Sequence, residues 1–139
     1  MDVSSRMVGQ TQSVGFQIGV RKTFPLNIKA AWALINSPAG VSAWLGEIKA
    51  PIELEDNFMT RSGEHGQITV YKENSHIRLT WKPDKWSKAS TIQVRVIPSK
   101  DKTTIAFHQE NLPGPKEREE RHLHFKNALE KLEQFIKDH

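Results

Sequence analysis

One feature constrains this chain above all others. Its last stretch, Pro115 to Asp138, reads as a single long amphipathic helix. Pro113-Gly114-Pro115 punctuates the entry, and a proline is tolerated at a first helical position because its missing N–H would be unpaired there anyway. No glycine or proline follows. Phe125, Ala128, Leu129, Leu132, Phe135 and Ile136 form one stripe, roughly 120° wide at 3.6 residues per turn. A single helix of this kind cannot bury its stripe alone, so the rest of the chain must supply the surface that receives it.

Earlier segments have the periodicity for that surface. Val14, Phe16, Ile18 and Val20 alternate with Gly15, Gln17, Gly19 and Arg21, which predicts a strand ending near Phe24-Pro25. Three further alternating runs, around Ile77–Trp81, Ile92–Val96 and Ile105–Phe107, are separated by short polar turns and predict an antiparallel meander. Gln67–Tyr71 adds another strand, and Glu47–Glu64 reads as one or two irregular strands. Between the first strand and the meander, Asn27 and Ser37-Pro38 are start signals for two short helices. Pro38 forbids one continuous rod, so these helices must meet at a bend. The expected architecture is α+β: a curved antiparallel sheet, two short helices and one long C-terminal helix. Residues 1–13 are expected to form a disordered tail and residues 14–139 one domain.

The chain has 139 residues, 37% of them hydrophobic, which suffices for one substantial core. The absence of cysteine excludes disulfides and thiolate metal sites. Neither a signal peptide nor a membrane-spanning run is visible, so a cytoplasmic protein without membrane contact is expected. The formal charge is +4, and its excess is local. Arg78 to Lys102 carries seven bases against Asp84 and Asp101, whereas the closing helix is balanced. Such a basic surface suits an acidic partner; nucleic acid is the less favoured one.

The helix stripe changes character toward its start. Arg118, Arg121 and His122 fall near the direction of Phe125. Two readings follow. Either the helix overhangs the sheet, these groups are solvated and Glu117 holds Arg121 at i,i+4, or they project into a cavity and orient a polar or anionic group. His122 and His124 lie roughly 200° apart on a helix, so they cannot share a metal ion. No Gly-x-Ser-x-Gly elbow or phosphate loop is present, and no cofactor is called for.

Several segments in this order resemble a known family. They are Phe24-Pro25-Leu26-Asn27 with Ala31-Trp32, Ser37-Pro38 through Trp44-Leu45-Gly46, Gly66-Gln67-Ile68, Leu79-Thr80-Trp81, Ser90 through Val94, and His124-Phe125 with Leu129 and Leu132. Together they resemble the START-like, birch-pollen-allergen superfamily (SRPBCC) and, within it, homologues of the activator of the heat-shock chaperone's ATPase. The similarity covers about residues 14 to 137. Phe125 stands where the family usually has Trp, and Lys126-Asn127 where a Gly is common. The resemblance implies a helix-grip fold with a deep pocket between helix and sheet.

The chain is expected to be a binding module for a small hydrophobic or amphipathic ligand. Trp44, Phe58, Trp81, Phe107 and Phe125 supply apolar walls, and Arg118, Arg121 or His122 orients a polar group. The alternative is a co-chaperone-like interaction module, monomeric or homodimeric, that uses the basic strands and Trp86 against an acidic partner such as a chaperone. An enzyme with His122 or His108 as general base comes third, because neither has an oriented partner in the sequence.

Overall fold

The computed structural model describes residues 10–11, 15–52 and 56–138. The first long strand, β2 (Gly15–Phe24), follows a two-residue strand, β1 (Gln10–Thr11), that pairs with its start. That pair lies inside the expected tail; residues 1–9 and 12–14 are outside the described residues. Two helices come next, α1 (Ile28–Asn36) and α2 (Pro38–Trp44). Then follow β3 (Asn57–Met59), β4 (His65–Lys72), β5 (His76–Trp81), β6 (Ser90–Ser99), β7 (Lys102–Leu112) and the closing helix α3 (Pro115–Asp138). The sheet order is β1-β2-β7-β6-β5-β4-β3, and every pairing is antiparallel. The expected α+β helix-grip architecture is the one observed. In the irregular segment 47–64 the one strand among the described residues is β3; residues 53–55 lie outside them.

Register sorts the side chains onto two faces, because residues directly opposite one another share a face. Val20, Phe107, Val94, Ile77 and Tyr71 align across five strands on the inner face. On α3, Phe125, Ala128, Leu129 and Leu132 are buried against it, as the stripe predicts. The helix pair bends where expected. Asn27 Oδ1 accepts from the Ala30 N–H at 2.8 Å, and Ser37 closes α1 while opening α2. Trp44 donates its indole N–H to the Ile35 carbonyl at 2.9 Å across the bend, so the elbow is tied from inside. Glu133 pairs with Lys137 at 3.6 Å, and also with Lys22 of β2. Among the described residues, no helix is long and apolar enough to cross a membrane.

Candidate functional site

The middle of the grip is filled. Trp44 lies 6.1 Å from Phe107, and Phe107 stacks on Phe125 at 5.0 Å between centroids. All three rings are almost fully buried, and each contributes on the order of 2–3 kcal/mol by leaving water. These three expected pocket walls are core side chains that close the space between sheet and helix. The open space lies further along, under the first turns of α3.

The alternation that places Ile105 and Phe107 on the inner face continues to Gln109, which is completely buried. A buried amide needs partners, and here it organises a relay. Ser90 Oγ donates to the Trp81 carbonyl at 2.7 Å, Gln109 Nε2 donates to Ser90 Oγ at 2.8 Å, and Arg121 Nε donates to Gln109 Oε1 at 2.8 Å. The guanidinium carbon then stands 3.9 Å from the centre of the Trp81 ring and 5.1 Å from that of Phe125. Arg121 is only 9% exposed. Neither solvation nor a Glu117 pair describes it, which corrects the overhang reading. Burial lowers its pKa to about 10, against the opposing pull of Glu64 and Glu120, so it stays charged at neutral pH.

Two donors here have no acceptor among the described residues. Arg121 Nη2 and Trp81 Nε1 are both buried and unpartnered. An unmatched buried donor costs about 1–3 kcal/mol, more when charged. Both residues line a cavity of about 350 Å³, together with Glu64, Trp86, Lys85, Lys116, Glu117, Glu120 and His124. Trp86 packs edge-on against Trp81 at 5.2 Å and is half-buried.

Glu64 and His124 complete the wall. Thr60 and Ser62 hydroxyls donate to Glu64 Oε1 at 2.6 and 2.8 Å. Burial alone would raise the Glu64 pKa; those hydroxyls, a backbone N–H and the Arg121 charge outweigh it and hold the carboxyl below its ordinary value. His124 Nε2 lies 2.8 Å from the Trp44 carbonyl. A carbonyl only accepts, so Nε2 carries the proton and Nδ1 keeps its lone pair. Burial, aided by the Arg121 charge, pushes the His124 pKa down to about 4, so the ring is neutral in ordinary conditions. The lining therefore holds three cations, three carboxylates and a neutral imidazole.

Of the eight residues picked from sequence, Trp81 and Arg121 line this cavity, with Phe125 behind the guanidinium. Phe58 lines a separate open hollow beside Met59 and His65. Arg118 turns to β2, where Nε donates to the Gln17 carbonyl at 3.0 Å and Nη1 pairs with Glu119 at 2.9 Å. His122 is half-buried and outside the lining. His108, the other candidate base, faces the opposite side of the sheet and meets Gln17 Oε1 at 2.9 Å. Glu64, Gln109 and His124 escaped the sequence reading. Only Gln109 left a signal, as the polar residue at an inner strand position. Among the described residues, no group of His, Asp and Glu is arranged to hold a metal ion.

A curved antiparallel sheet gripping one long C-terminal helix, with a cavity under that helix's first turns, is a helix-grip protein of the START-like superfamily. Residues 26–137 match the family described as Activator of Hsp90 ATPase homolog 1-like protein, and the chain belongs to that family. No curated protein matches it by sequence. Among solved structures it is similar to CalU16 from Micromonospora echinospora, with TM-score 0.75 and 19% identity over 86% of this chain and 75% of that one. It is also similar to DynU16, a protein of the dynemicin biosynthetic locus, with TM-score 0.74 and 13% identity over 87% of this chain and 47% of that one. An HSP90 activator from Plasmodium falciparum matches with TM-score 0.68 and 17% identity over 86% of this chain and 95% of that one. At these identities the likeness is one of fold.

Proposed function

We propose that this protein is a cytoplasmic binding module for a small amphipathic molecule held under the first turns of α3. The observation that carries this reading is the pair of unmatched donors, Arg121 Nη2 and Trp81 Nε1, on the wall of one cavity. An acceptor group of the ligand satisfies both, and its flat apolar part packs on Trp81 and Trp86. Both donors are covered at rest, so binding requires part of the lining to move aside. The balanced lining favours a ligand with one acidic group over a polyanion. Apolar ligands filling the centre of the grip are disfavoured, because Trp44, Phe107 and Phe125 already occupy it.

Tryptophan fluorescence titration with an aromatic carboxylate, 2-naphthoate, and with its neutral amide tests this. The acid should bind more tightly than the amide. Arg121→Met should remove that preference, a loss of about tenfold or more for a hydrogen bond to a charged group. Equal affinity for acid and amide, or an unchanged preference in the variant, would reject the orienting role of Arg121. Absence of binding by both probes, together with a bare mass in native mass spectrometry of the gently purified protein, would reject the binding module.

A further inference from the structure

The outer face of the sheet carries a second feature, which the cavity does not explain. The register aligns Arg21 with Ala106, Ala106 with Arg95, Arg95 with His76, and His76 with Lys72. Directly opposite residues share a face, and adjacent strands are about 4.8 Å apart. Four basic side chains therefore stand in one row across the sheet, spanning about 19 Å from β4 to β2. Arg21, Arg95 and Lys72 are exposed, and none makes an ion pair with a carboxylate among the described residues. The neighbouring row adds Arg78, which shares Glu110 at 3.4 Å. Lys72, Arg95 and Arg21 alternate along the row with His76 and Ala106, so their charges stand about 10 Å apart and act on the residues between them. The effect is felt at His76, whose pKa is lowered first by burial and then by Arg95, Lys72 and Arg78. Three exposed cations without a carboxylate partner among the described residues are free to pair with an anionic partner that lies along the row.

We infer that this row is a docking surface for an acidic polypeptide segment. Two features favour a polypeptide over a single-stranded nucleic acid. No Phe, Tyr or Trp stands in the basic row or the one beside it, so the bases of a single-stranded nucleic acid find no such ring to stack on. Exposed Val70 and Ile97 flank the row on either side, offering apolar contacts to the side chains that alternate with carboxylates on an extended segment. Trp86, expected from sequence to join such a surface, packs on Trp81 at the cavity. The surface and the cavity are thus separate, and neither reading rests on the other.

Fluorescence anisotropy with a labelled oligoglutamate peptide at low ionic strength tests the inference. The wild-type chain should bind, and binding should fall as salt rises. Arg21→Glu with Arg95→Glu should weaken it at least about tenfold, the scale of close charge pairs across an interface. Lys126→Glu with Lys131→Glu changes the net charge equally but lies on α3, and should leave affinity within about twofold. Arg121→Met should leave it unchanged. Equal losses in the two double variants would reduce the effect to net charge and overturn the inference. So would absence of peptide binding, or tighter binding to a duplex oligonucleotide or to phosphatidylserine vesicles than to the peptide. Arg21→Gln with Arg95→Gln, set against Lys126→Gln with Lys131→Gln, provides the same comparison should charge reversal disturb the fold.

Discussion

Gly66 shows how closely a single residue fixes the approach of two strands. A Cβ there would stand 1.9 Å from the Thr80 carbonyl oxygen and 3.0 Å from Phe58 Cε1. The first contact is with backbone, so a small side-chain adjustment cannot relieve it. Here β4 presses onto β5, and the Gln67 N–H takes the Thr80 hydroxyl at 2.8 Å as its acceptor. The pairing then shifts register between Ile68 and Val70. Gly66→Ala should therefore cost more than about 2 kcal/mol, the range of overpacking against a rigid neighbour. Gly114→Ala serves as the contrast. Its nearest contact is the mobile end of Glu117 at 3.2 Å, and it should cost less than about 1 kcal/mol. Urea denaturation of both variants checks the order; a Gly66→Ala protein as stable as Gly114→Ala would mean that β4 yields easily, and that the Glu64 wall beside it is soft.

At the scale of elements, the α1–α2 elbow hangs on one hydroxyl. Ser37 Oγ donates to the Leu34 carbonyl at 2.7 Å and accepts from the Gly40 N–H at 3.0 Å, so it serves the end of one helix and the start of the next. Ser37→Ala removes both bonds and should cost about 1–2 kcal/mol, the upper part of the N-cap range. Thermal unfolding would register this, and a cost near zero would show that Pro38 and the Trp44–Ile35 bond hold the bend by themselves. The elbow was legible because caps and proline act within one turn of chain. So was α3, whose stripe repeats for most of its length, and so were the strands with strict alternation. The helix rotation also placed Arg121 inward correctly. It gave Arg118 and His122 nearly the same direction, yet what a helix face meets depends on what lies opposite. Arg121 faces Gln109 across the sheet floor, Arg118 meets the Gln17 carbonyl of β2, and His122 lies outside the cavity. His124 is inward only because α2 covers that flank of α3 with its Trp44 carbonyl. No periodicity in α3 carries information about a carbonyl 80 residues away.

At the scale of the whole molecule, the burial of the His124 ring, against the opposing pull of its bond to the Trp44 carbonyl, makes stability respond to acid. His124 has a folded pKa of about 4, against an ordinary value of 6.5. Between those values the unfolded chain binds a proton that the folded chain refuses. Stability changes with pH in proportion to protons bound unfolded minus folded, so the slope is positive and stability falls as pH falls through this window. The contribution is fully present above about pH 6.5 and lost progressively toward pH 4, by about 3 kcal/mol in all. His76 acts in the same direction but lies on the solvent-facing side, where screening reduces its effect. Glu64 acts lower: its folded pKa lies below 4.5, so its contribution is present above that value and declines only beneath it. The two cavity groups therefore separate along the pH axis. His124→Gln retains an N–H for the Trp44 carbonyl but cannot titrate. Urea titrations at pH 7 and pH 4.5 should show the wild-type chain losing about 2–3 kcal/mol and the variant losing distinctly less. A variant with the wild-type slope would move the acid response away from His124, and would imply that the ring under α3 accepts a proton at Nδ1 without unfolding the protein.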